Sequence, residues 1–111
     1  MAQSANVFVV DASVAAKWHL PEADEDHADL ALALLAQFQA GILGLIAPRH
    51  IRFEVPSSLT VAATTAQPRL TTDEARAHID AFLALPLPTF DDAPLLSAAF
   101  PLALQYRIAF Y

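Results

Sequence analysis

A lone acid, Asp11, follows the unbroken apolar run Val7-Phe8-Val9-Val10 and leads directly into Ala12-Ser13-Val14-Ala15-Ala16. A run of β-branched and aromatic residues suits a strand buried on both faces, as in a parallel sheet. Such sheets bind ligands beyond the carboxyl ends of their strands, where Asp11 would stand. An unpaired carboxylate there is costly, so it requires a helix N-terminus, an arginine or a metal. Two readings of the local pattern stay open: Asp11 caps the next helix through its free amides, or it gives oxygen ligands to a cation. A second acid, Glu54, falls in the first turns of a later predicted helix, with Arg49 and Arg52 beside it. His50 stands one helical turn before Glu54, the spacing of a surface pair.

The elements that must position these residues follow from periodicity and punctuation. Residues 12–19 read as a short helix stopped by Leu20-Pro21. The acidic cluster Glu22-Ala23-Asp24-Glu25-Asp26 complements a helix start, predicting a helix from there to about Ala40 with Gly41 as its left-handed cap. Residues 28–36 are apolar nearly all round, which predicts deep burial. Residues 43–47 form a second strand candidate stopped by Pro48, followed by a helix over about residues 49–65. Pro56 costs a helix interior ~3 kcal/mol and favours a late start, with Glu54 on the approach. Thr71 and Glu74 have capping-box spacing, and Ala75, Ile79, Phe82 and Leu83 form the stripe of the helix they open. Leu87-Pro88-Thr89-Phe90 suits an edge strand. Asp91-Asp92 then reads as a helix cap, with Pro94 in the first turn and Pro101 interrupting the helix. The order β-α-α-β-α-α-β-α predicts an α/β fold with a parallel sheet.

Composition narrows the function classes. The 111 residues suffice for one core and show no repeat or linker, and 56% hydrophobic against 16% charged residues excludes disorder. A formal net charge of −6 with only six basic residues cannot grip a polyanion through counterion release alone. Handling RNA would require divalent cations, a local arginine patch or a partner chain. No cysteine is present, which removes disulfides and thiolate metal sites and agrees with a cytoplasmic location. No basic segment precedes the first apolar stretch, and the longest apolar helical run, residues 30–36, is too short for a bilayer. His19, His27, His50 and His78 show no His-x-His or His-x-x-x-His spacing, so no histidine metal site is expected. Trp18 and Phe8 are expected in the core.

The stretch Val9-Val10-Asp11-Ala12-Ser13-Val14-Ala15-Ala16-Lys17-Trp18 resembles the opening of PIN-domain proteins, especially VapC-type toxin ribonucleases. Ala47-Pro48, Phe53-Glu54-Val55, Ser58-Leu59, Arg69-Leu70-Thr71, Leu85-Pro86-Leu87 and Ala103-Leu104-Gln105-Tyr106 continue the likeness in register. The resemblance implies a three-layer α/β/α PIN-like fold and Mg²⁺- or Mn²⁺-dependent hydrolysis of RNA phosphodiesters. Asp11 and Glu54 match the family's first two metal-binding, catalytic acids. Ser13 matches the small hydroxyl residue that shapes the site. It also implies a cognate antitoxin protein and a homodimer. The family's third and fourth acids have no counterpart up to Tyr111. The chain thus reads as a C-terminally truncated PIN domain, lacking the final strand and helix and with impaired activity. The family more often has a small helix former where Pro56 stands and Asn where Ser57 stands.

The alternative is a catalytically inactive PIN-like module that binds an antitoxin or itself through exposed apolar surface. Phosphoryl transfer through a phosphoaspartate is disfavoured, because Ser13 stands where a second Asp is required. Two glycines in the whole chain leave no phosphate loop.

Overall fold

The computed structural model describes residues 6–107. Three strands, β1 (Val7–Val9), β2 (Gly44–Pro48) and β3 (Thr89–Phe90), and five helices are present among them. The helices are α1 (Ala12–Ala15), α2 (Ala28–Gln39), α3 (Ile51–Thr64), α4 (Thr72–Ala84) and α5 (Ala93–Tyr106). The sheet order is β1-β2-β3 with both pairings parallel. Val7, Phe8 and Val9 stand opposite Gly44, Leu45 and Ile46, and Ala47 and Pro48 opposite Thr89 and Phe90. The architecture is therefore α/β, in the expected element order and compatible with three α/β/α layers.

The centre of the core is β2 and the helix after it. Leu45, Ala47, Ile51, Val55 and Leu59 are at most 1% exposed. Ile51, Val55, Leu59 and Ala62 recur at helical spacing on α3 and form its buried face. Trp18 is buried, with its indole N–H donating to the Ala31 carbonyl at 2.9 Å, which ties the turn after α1 to α2. Arg69 and Lys17 both reach Glu25, at 3.1 and 3.9 Å, and hold the loop before α2 against the body.

Several expectations are corrected. The first strand is not buried on both faces: Val7, Phe8 and Val9 are 60%, 50% and 63% exposed. Its only sheet neighbour among the described residues is β2, which places it at the edge of the sheet. Phe8 thus lies outside the core. The acidic cluster does not open α2. Residues Glu22–Asp24 make a 3-10 turn, and His27 takes a left-handed conformation (φ 59°) before the helix starts at Ala28. Nor is α2 buried all round, since only Ala28 and Ala31 are buried and Leu30 faces solvent. Gly41 does adopt the left-handed region, at φ 75°.

Pro56 does not delay α3, which begins at Ile51 and carries the proline inside it. The ring removes the hydrogen bond to the Arg52 carbonyl. Arg52 is exposed, so water can serve that oxygen. Pro101 likewise lies within a continuous α5. On α4 the capping box forms in full: Thr71 Oγ1 accepts from Glu74 N at 3.0 Å, and Glu74 Oε1 accepts from Thr71 N at 2.9 Å. Ala75 and Phe82 are buried, whereas Leu83 from the same predicted stripe is exposed.

Candidate functional site

Each parallel strand ends beside a residue with chemistry. Asp11 follows β1 at the N-cap of α1, His50 and Glu54 follow β2 at the start of α3, and Asp92 follows β3 at the start of α5. All four therefore stand on the carboxyl edge of the sheet, where an open α/β sheet presents its ligand site.

Asp11 fulfils the capping reading. Its Oδ2 accepts from Ser13 N at 2.9 Å and from the Ser13 hydroxyl. The Ser13 hydroxyl bond, then its amide bond, hold the Asp11 carboxyl below the ordinary carboxylate value. His50 adds a smaller electrostatic pull in the same direction. Asp11 is exposed, so capping does not hide it from a solute.

Glu54 is held by His50: Nε2 of His50 lies 2.9 Å from Glu54 Oε1, the expected one-turn pair. The other ring nitrogen, Nδ1, lies 3.4 Å from Asp92 Oδ2. His50 thus stands between two carboxylates that follow different strands. The helix-cap expectation for Asp91-Asp92 divides between the two residues. Asp91 Oδ1 accepts from Ala93 N at 3.0 Å, while the Asp92 side chain makes no cap bond and turns to His50. Sequence reasoning missed Asp92 as a rim residue, because capping spacing alone does not report which neighbour a carboxylate faces.

As for metal fit, no group of three His, Asp or Glu side chains among the described residues is arranged to hold one ion. Asp11 and Glu54 supply hard oxygen donors, the type Mg²⁺ and Mn²⁺ take. Both are exposed at the carboxyl edge of the sheet. Arg49 and Arg52 are exposed on either side of His50.

A second meeting of titratable groups was also absent from the sequence spacing. His19, in the turn after α1, and His78, on α4, bring their Nδ1 atoms to 3.2 Å. Burial, and then the His78 charge, lower the His19 pKa to about 4.

No family model matches the chain, and no curated protein matches it either. Among the described residues no helix is long and apolar enough to cross a membrane.

Proposed function

We propose that the Asp11–Glu54 rim is a divalent-metal site of PIN-like type, acting on RNA phosphodiesters. The observation that carries this reading is the delivery of Asp11, Glu54 and Asp92 to one edge by three successive parallel strands. The resemblance to VapC-type ribonucleases supplies the substrate class.

A bound Mg²⁺ or Mn²⁺ would activate water and offset charge on the departing oxygen. The chain's own part is positional. Ser13 keeps the Asp11 carboxylate ionised and fixed by two hydrogen bonds. His50 holds Glu54 at the rim through a 2.9 Å contact. Arg49 and Arg52 offer the nearest cationic contacts for a phosphate, which a chain of net charge −6 needs locally. An open two-carboxylate rim binds its ion weakly, so cleavage by this chain is expected to be slow.

Manganese titration followed by NMR line broadening tests the site directly. Selective broadening of the Ser13 and Glu54 amide signals is expected, together with its loss and the loss of Mn²⁺-dependent RNA cleavage in Asp11→Asn. Cleavage that persists in Asp11→Asn, or broadening confined to other regions, would refute the assignment.

A second reading, a module that pairs with another copy of itself, has its own observation. The accessible surface is 7836 Å², whereas a compact monomer of 12.0 kDa exposes about 6,000 Å². The excess is about twice the roughly 800 Å² that one partner gives to a standard protein–protein interface. It includes β1 and the exposed Leu95, Leu96, Phe100, Leu102 and Leu104 of α5, a helix with no buried residue. Light scattering on a size-exclusion column is expected to give twice the chain mass. A strict monomer at high concentration removes this reading and leaves the metal rim untouched.

A further inference from the structure

At the opposite end of the α1 segment from Asp11, His19 closes the 3-10 turn Ala16–Trp18. Its neighbours in the chain, Trp18 and Leu20, are both buried and anchor the turn. The His19 ring packs edge-on against Phe82, with centroids 5.8 Å apart, and against His78, with centroids 5.3 Å apart. Phe82 and His78 lie one helical turn apart on α4, so the packing of the turn against that helix sets the distance between the two imidazoles.

We propose that His19 and His78 form a bis-imidazole site for a borderline divalent transition ion of the Zn²⁺ or Ni²⁺ class. The argument begins with the 3.2 Å between the two Nδ1 atoms. Zinc–nitrogen bonds are about 2.0–2.1 Å, so two nitrogens sharing a tetrahedral zinc stand about 3.3 Å apart. The same bond lengths at a right angle, as in octahedral coordination, place them about 2.9 Å apart. The observed separation lies between those two values. In the ion-free chain a single proton shared between the nitrogens serves the same contact.

With an ion on Nδ1, the ring proton of His19 would sit on Nε2. That nitrogen is buried and has no hydrogen-bond partner among the described residues. The ring therefore exerts its polar chemistry through Nδ1 alone, on the side that faces His78. The second observation is a cleft of about 340 Å³ lined by both histidines together with Glu22, Glu74 and Lys17. Lys17 is paired with Glu25, which leaves the two glutamates to favour a cation. Glu74 stands one helical turn before His78, with Oε1 engaged by the Thr71 amide. Two imidazoles are thus the protein ligands, and water from the cleft completes the coordination. Imidazole nitrogen selects Zn²⁺ and Ni²⁺ over Mg²⁺, which separates this site from the oxygen-only rim at Asp11 and Glu54.

Ring-resolved histidine NMR of the full chain during Zn²⁺ titration tests the proposal. The ring signals of His19 and His78 are expected to shift together and saturate, while the same concentration of Mg²⁺ moves neither. His78→Gln is expected to abolish the His19 shift and remove one bound Zn²⁺ equivalent in dialysis equilibrium. His78 is only partly buried, so that variant carries the test even where His19→Gln, which opens a gap beside Phe82, does not fold. Asp11→Asn is expected to leave the Zn²⁺ response of both rings intact, so failure at the rim and failure here read out separately. Unmoved rings at millimolar Zn²⁺, a His19 shift that survives in His78→Gln, or an equal response to Mg²⁺ would each overturn the proposal.

Discussion

Asp11 has two roles that one substitution can separate. Asn and Asp are about equally good N-caps, so Asp11→Asn keeps an oxygen for the Ser13 amide while removing the charge a cation needs. Its melting temperature is expected to stay close to that of the parent chain, with the manganese response gone. Asp11→Ala instead loses the cap and is expected to cost about 1 kcal/mol in urea unfolding. At the second cluster, His19 is neutral in the folded chain down to about pH 4, whereas an ordinary histidine protonates near 6.5. The unfolded state therefore takes up the proton first, and stability is expected to fall as pH drops from about 6.5 to 4 and then to level off. Urea midpoints measured across that window check the slope. Glu74 acts with the same sign in a more acidic window. The Thr71 amide and hydroxyl lower its pKa from 4.5, so its contribution is present above that value and fades on further acidification.

The elements illustrate which local signals survive the tertiary context. The capping box at Thr71 and Glu74 was legible because all its partners lie within one helical turn. Gly41 was legible for the same reason: a left-handed residue after a helix is a local demand. The start of α2 was not legible. Glu25 is drawn to Lys17 and Arg69, and His27 takes a positive φ, so the acidic cluster serves a loop rather than a helix dipole. Pro56 was expected to shorten α3. Instead Ile51, Val55 and Leu59 bury along one face, and that packing outweighs the single missing hydrogen bond at an exposed carbonyl. Pro56→Ala restores the bond and is expected to stabilise the chain by up to ~3 kcal/mol, seen as a higher urea midpoint.

Over the whole molecule the core is one-sided. It is concentrated in β2, α3 and their neighbours, and Leu59→Ala there is expected to cost about 2–5 kcal/mol by leaving a cavity. At the other extreme, β1 and α5 carry apolar side chains that the described residues do not cover. The radius of gyration is 16.3 Å, against about 13 Å for a compact domain of this length. Exposed apolar surface of this kind is the ground for the proposed self-pairing. Val9→Lys and Phe100→Asp are expected to shift a dimer toward monomer in light scattering, with the melting temperature little changed, because both side chains are exposed.

From residue order alone came the alternation of strands and helices, the acid at the end of the first strand, the His50–Glu54 pair and the capping box. All of these depend on periodicity or on partners within four residues, which a linear pattern records directly. Only the tertiary structure decided that β1 is exposed, that Asp92 turns to His50, and that His19 meets His78 across the fold. Those outcomes depend on which surfaces remain once the α3 core has packed. Local spacing cannot encode which distant side chain is brought into reach.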